Sequence, residues 1–144
     1  MDSLSKPRLE RILLLKAILQ EYRVRLDEEL LPHGITTAQL RLLWAVEANP
    51  LASGARLARL CSVTPQTGQA VMARMEENGW IRRRPSEASS RVLVAELTAS
   101  GRAVLKLAKK LAERIDRALW KGISAKDLAL VDAVLEGAVG KVRR

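Results

Sequence analysis

Apolar residues recur at helical steps along most of this chain. Between residues 8 and 31, Leu15, Leu19, Tyr22, Leu26 and Leu30 follow one another at intervals of three and four, which puts them on one face of a long helix. Pro32, His33 and Gly34 end it. Thr36 with Gln39 three residues later forms a capping box, and the run Leu40, Leu42, Leu43, Trp44 and Val46 predicts a second helix that stops before Asn49-Pro50. Ser53 caps a short third helix over residues 54–61. Thr64-Pro65 opens a fourth: the threonine oxygen can accept from a free amide of the first turn, and a proline at the first helical position gives up an N–H that has no helical partner anyway. This fourth helix is expected to bury Val71, Met72 and Met75 and to end at Gly79, the residue best suited to a left-handed terminus.

The pattern then changes. RVLVAEL, residues 91–97, is apolar and β-branched, and with residues 80–84 it flanks the turn-rich segment Pro85 to Ser90. The pair predicts a hairpin carrying Arg82, Arg83, Arg84 and Arg91 near its tip. Thr98 and Ser100 start a long helix that runs through Trp120, and Ser124 with Asp127 starts a last one. In that last helix Leu128, Val131, Leu135, Ala138 and Val142 keep an alternating three-four spacing, a stripe that calls for a partner helix. There is no internal repeat and no low-complexity tract.

The fold class expected is therefore mainly α, with a two-stranded β-wing. Two short helices joined at Ser62, the second with an exposed face of Gln66, Thr67, Gln69, Ala70 and Arg74, and a basic hairpin directly behind it, are the parts of a winged helix-turn-helix. Groove geometry gives the reason for that order. A helix fits the major groove of B-DNA, glutamine can bond an adenine edge through both its amide atoms, and small side chains meet thymine methyls. Arginines on a hairpin reach the neighbouring backbone or a narrow minor groove, where the negative potential is enhanced.

Charge agrees with this reading. The chain has 144 residues and a net charge of +9, which points to a polyanionic partner, double-stranded DNA before an anionic membrane. No apolar run approaches a bilayer span, and Arg8, Glu10, Arg11 and Lys16 interrupt any signal-peptide core, so a cytoplasmic, nucleoid-associated protein is expected. A second class stays open: a basic helical interaction module that binds an acidic protein or a membrane surface. The two differ in what controls binding. DNA reading predicts that Gln66→Ala and Gln69→Ala change sequence preference by about 1–3 kcal/mol while Arg83→Ala weakens all DNA alike; in an interaction module only charge matters.

From Gly34 to Leu105 the sequence resembles the MarR family of bacterial transcriptional regulators, with GITTAQLRLLWAV, LARLCSVTPQTGQAVMARMEENGWIRRR and RVLVAELTASGRAVL in the family's order and spacing. The resemblance implies a DNA-binding lobe over residues 34–98, flanked by helical dimerisation segments 1–33 and 99–144. In that plan Leu15 and Leu19 with Leu128, Val131, Leu135, Ala138 and Val142 supply the homodimer contact. Residues 64–75 would enter the major groove, with Thr64, Pro65, Gln66, Thr67, Gln69 and Ala70 facing bases or phosphates and Arg74 facing backbone. The family's Asp-Arg-Arg wing motif aligns with Ser89, Ser90 and Arg91, so only the last arginine is kept. Arg91 is carried over as a minor-groove or phosphate contact, with Ser90 beside it and Arg82, Arg83 and Arg84 entering the hairpin. By the same resemblance the protein is a repressor on an inverted-repeat operator, released by a small phenolic or otherwise lipophilic effector.

The remaining chemistry-bearing residues have plainer assignments. Tyr22, Trp44, Trp80 and Trp120 are the only aromatic residues, so the core is aliphatic. Trp80 is expected to plug the hairpin into the core. Trp44 is also assigned to the core, although an aromatic wall would suit an effector crevice. Met72 and Met75 are core by spacing, and Cys61 falls where the turn pattern takes a buried leucine, which makes it a structural thiol. With a single cysteine no internal disulfide can form. The sole histidine, His33, has no second histidine to complete a zinc site and no nucleophile beside it, and no Gly-rich phosphate loop is present. Neither a metal, a cofactor nor an enzymatic activity is expected.

Overall fold

Side chains that satisfy free helix amides set most of the element boundaries. In the computed structural model, which describes residues 8–143, α1 spans Arg8–Leu30 and passes into a 3₁₀ turn, Leu31–His33, closed by Gly34 at φ 69°. Residues 1–7 of the expected N-terminal dimerisation segment, and Arg144, lie outside the described residues. Helix α2, Thr37–Ala48, carries both halves of its capping box: Thr36 Oγ1 accepts from the Gln39 amide at 3.1 Å, and Gln39 Oε1 accepts from the Thr36 amide at 2.9 Å. Ser53 caps α3, Gly54–Leu60, and Thr64 caps α4, Pro65–Glu77, with proline in the first turn as expected.

Between α3 and α4 the chain turns through Ser62, whose φ of 55° is left-handed. Gly79 closes the segment after α4 at φ 74°. Strands β1, Ile81–Pro85, and β2, Leu93–Leu97, pair antiparallel from Ile81 opposite Leu97 to Pro85 opposite Leu93. The second strand starts two residues later than its apolar run, because Arg91 and Val92 turn with the hairpin tip. An isolated antiparallel bridge from Ser53 to Val94 ties the start of α3 to the sheet. Helix α5, Ala99–Leu119, stops just before Trp120, and α6 covers Ala125–Val142 with the Ser124 oxygen accepting from the Asp127 amide. The fold is mainly helical with one two-stranded sheet.

The chain divides into two units, residues up to Ala112 and residues from Glu113 on. The first has an aliphatic core: Leu26 and Leu30 of α1, Leu40, Leu43 and Val46 of α2, Leu57 and Ala58 of α3, Met72 and Met75 of α4, Ile81 and Val94 of the wing, and Leu105 and Ala108 of α5 are buried. Of the expected α1 stripe only its C-terminal end is buried, since Leu15 and Leu19 are 39% and 67% exposed. In the second unit no residue of α6 is buried; Leu128, Val131 and Leu135 are half-buried, and Ala138 and Val142 are exposed.

Two tryptophan assignments are corrected. Trp44 is 50% exposed: Leu40, Leu43 and Val46 occupy the inner face of α2, and position 44 points off it. Its ring is covered instead by Lys109 Nζ, 5.0 Å from the centroid, which is also bonded to Glu47 at 2.6 Å. Trp80 is only half-buried, and the plug that anchors the hairpin is its neighbour Ile81. Val71, expected in the α4 core with the methionines, is half-buried.

Candidate nucleic-acid interface

The helix-turn-helix depends on how closely α3 and α4 approach. A methyl group built on Gly68 would stand 2.7 Å from the Cβ of Ala58, so glycine at this helical position lets the two helices touch. Behind the turn, Arg41 Nη2 donates to the Cys61 carbonyl at 2.6 Å while the Cys61 thiol donates to the Arg41 carbonyl at 3.6 Å. Burial raises the thiol pKa above its ordinary value, with the Arg41 guanidinium pulling the other way. Cys61 is thus a buried, protonated packing group, as its position in the turn pattern implies.

On the opposite side of α4, Thr64, Pro65, Gln66, Thr67, Gln69, Ala70 and Arg74 are all exposed. Gln66, Thr67, Ala70 and Arg74 follow one another at steps of one, three and four along the side away from Met72 and Met75, while Gln69 lies toward the wing, beside Arg83. Thr64 Oγ1 accepts from the Thr67 amide and donates to Thr67 Oγ1 at 3.0 Å, which fixes both hydroxyls at the helix start. Arg74 lies 3.8 Å from Glu77, an exposed pair that holds it weakly.

The wing follows directly from the end of α4. Thr98 Oγ1 donates to the Gly79 carbonyl at 2.6 Å and accepts from the Gly101 amide at 3.0 Å, so one side chain both caps α5 and ties it to the end of α4. Gly101 has to be glycine: a Cβ there would sit 1.9 Å from the Trp80 carbonyl oxygen. The LTASG stretch is thus a joint between two helices and the first wing residue.

The three wing arginines diverge. Arg82 Nε bonds Glu96 at 3.1 Å, directly across the strand pair, and Arg84 lies 3.7 Å from the other oxygen of the same carboxylate. Arg83 turns to the other face, where Nη1 donates to Gln69 Oε1 at 2.8 Å and the guanidinium straddles Glu76 at 3.3 and 3.4 Å. At the tip, the Ser86 amide donates to the Val92 carbonyl and the Val92 amide to the Ser89 carbonyl, so the turn is closed by backbone where the family motif has an acidic side chain. Ser90 and Arg91 are exposed there. Sequence reasoning missed Glu76 and Glu96, the two acids that hold the wing arginines. Glu96 was within reach, because strand pairing sets it opposite Arg82; Glu76 was not, because its contact is tertiary.

The comparisons with known proteins agree with this architecture. Residues 33–92 match the model of the MarR family. The HTH-type transcriptional repressor Rv2887 of Mycobacterium tuberculosis is 35% identical over 103 residues, covering 72% of this chain and 74% of that protein. The chain belongs to the MarR family. It is a transcriptional regulator with a winged helix-turn-helix fold. The crystal structure of apo MarR from E. coli superposes with a TM-score of 0.80 at 24% identity, over 94% of this chain and 98% of that one. The complex of Rv2887 with salicylic acid superposes with a TM-score of 0.73 at 30% identity, over 93% and 97% of the two chains. Among the described residues no helix is long and apolar enough to cross a membrane, and no cluster of His, Cys, Asp or Glu could hold a metal ion.

Proposed function

We propose that this MarR-family protein is a homodimeric repressor that binds an inverted-repeat operator through α4 and the wing. The observation that carries the reading is the surface itself: a capped helix whose exposed face is Gln66, Thr67 and Ala70 rather than a lysine stripe, set beside a hairpin with an exposed arginine at its tip. Glutamine and short side chains suit base edges, and Arg91 with Ser90 suits the phosphates or minor groove one step away. Thr64, Pro65 and Arg74 border the same face and serve the backbone, as do Arg82 and Arg84. Residues 34–98 form the DNA-binding lobe, and residues 1–33 and 99–144 the dimerisation region, in which the apolar side chains left exposed on α1 and α6 would be covered.

Release by a small aromatic or lipophilic acid is part of the proposal. Rv2887 has been crystallised with salicylic acid and with p-aminosalicylic acid. In this chain a cleft of about 370 Å³ between α2 and β2, roomier than such an acid, is lined by Val46, Leu51, Val94 and Leu97, by Arg84 and Arg102, and by Glu47 and Glu96. Arg84 is paired with Glu96, so Arg102 is the cation left to meet a carboxylate. Such a ligand acts only through unequal affinity for the bound and released dimer geometries.

The test is fluorescence anisotropy with a duplex from the protein's own upstream intergenic region and a scrambled duplex of equal composition, across a salt series. Preferential binding that saturates at one dimer per site and weakens on adding salicylate is expected. Equal, steeply salt-sensitive binding to both duplexes would leave only a basic surface, as in the interaction-module reading.

A further inference from the structure

We propose that Arg83 is a positioning residue that clamps the wing to the recognition helix, and that Gln69 belongs to this clamp instead of reading a base. The inference rests on the DNA-binding reading above and reassigns two of its expected contacts. Arg83 differs from its neighbours in exposure: its side chain is 18% exposed, against 70% for Arg82 and 39% for Arg84. Its partners both belong to α4 and lie two turns apart on it, Gln69 and Glu76. A guanidinium opposite a carboxylate with two parallel bonds is a strong and directional contact, unlike a loose surface pair.

The chemistry fixes how Gln69 points. A guanidinium can only donate, so the atom 2.8 Å from Arg83 has to be the amide oxygen. The amide nitrogen then faces the start of α3, where a methyl built on Gly54 would stand 3.0 Å from it and 2.9 Å from Met72 Cε. To pair with adenine in two-point fashion, Gln69 would need its oxygen for the N6 amine and its nitrogen for N7. The oxygen is already held by Arg83, so the two-point pairing is broken at that atom. Base reading by α4 falls to Gln66, Thr67 and Ala70.

The clamp spans a groove of about 380 Å³ between the α3–α4 pair and the wing, lined by Gly54, Gln69, Met72, Arg83, Arg91 and Leu93. Without the clamp the wing is tied to the helices only near its base and through the Ser53–Val94 bridge, by the buried Ile81, the Trp80 amide on the Met75 carbonyl and the Thr98 joint. With it, the tip carrying Arg91 and the face of α4 are held at one separation, which two neighbouring grooves require at once.

The experiment uses the full-length protein with Arg83→Ala, Glu76→Ala, the double variant, and the exchange Glu76→Arg with Arg83→Glu. Operator and scrambled duplexes are titrated across a salt series, and hydrogen exchange of the β1 and β2 amides is followed without DNA. A clamp predicts that Arg83→Ala and Glu76→Ala each weaken operator binding about tenfold, the order of one charge-assisted hydrogen bond. The double variant is then no weaker than either single, the salt slope is unchanged, and exchange across the wing is faster in both singles. The charge exchange restores part of the loss. Gln69→Ala lowers affinity while leaving the base preference at every operator position as in the parent.

A phosphate contact predicts the opposite pattern and would overturn the proposal: Arg83→Ala lowers the salt slope by about 0.9, Glu76→Ala binds as the parent or tighter, and wing exchange is unaltered. If Arg83→Ala does not fold, Arg83→Lys and Glu76→Gln carry the same comparison. A parent protein that fails to distinguish operator from scrambled duplex would sink the DNA-binding reading instead, and hydrogen exchange still reports on the clamp.

Discussion

Gly68 shows how a local penalty can be a tertiary requirement. On helix propensity alone a glycine in the middle of α4 costs about 1 kcal/mol against alanine, so Gly68→Ala should stabilise the protein. The Ala58 methyl, 2.7 Å from where the new Cβ would lie, reverses the sign. Gly68→Ala is expected to destabilise by about 1–3 kcal/mol, as overpacking does, and urea denaturation monitored by circular dichroism checks it. A gain in stability would mean that α3 and α4 can part freely. Cys61 gives a pH-dependent counterpart. Its pKa is raised in the folded protein, so the neutral thiol favours folding; that contribution is complete below the unfolded pKa and is lost as pH rises through the higher folded value. Alkylation of the native protein is expected to lag behind that of the urea-unfolded chain at neutral pH and to catch up only in alkali.

Caps and strand pairing made most elements legible before the fold was known. Thr36, Ser53, Thr64 and Ser124 each accept the bond their position implies, and the boundaries follow them to within a residue or two. The side chains that cross between elements were not legible. An exposed glutamine on a recognition helix has the chemistry of a base reader; that the oxygen of Gln69 also accepts a bond from Arg83, arriving from another element, is visible only in the fold. Trp44 was misassigned, since apolarity suggested the core while its helical phase puts it beside Lys109. Glu96 yields a prediction at this level. Its pairs with Arg82 and Arg84 are exposed, so Glu96→Ala should change stability by less than about 1 kcal/mol. The same change frees two arginines on the wing. Operator affinity should rise and its salt slope steepen, both read by anisotropy; weaker binding would show that Glu96 orients these arginines toward DNA.

For the molecule as a whole, the pattern of exposure argues for a second copy. Leu9, Ile12, Leu13 and Leu19 of α1 are more than half exposed, as are Leu130, Val134 and Val142 of α6, while the same chain keeps Leu30, Leu43 and Leu57 fully buried. Contiguous exposed leucines on a lone protein are a solubility hazard, and interlocking two chains removes them from water. Leu19→Glu combined with Val134→Glu is therefore expected to shift the protein in analytical ultracentrifugation from twice its 15.9 kDa chain mass to the monomer. The effect on DNA should exceed the loss of any one contact. A dimer binds its second half-site at a high effective concentration, and that advantage of roughly 10²–10⁴ disappears when the chains separate. Half-site binding by the monomer should survive, because the α4 face and the wing both lie within residues 64–97 of one chain. A parent that sediments as a monomer at concentrations where it saturates an inverted repeat would remove the dimer from the mechanism, and the exposed leucines would then need another partner.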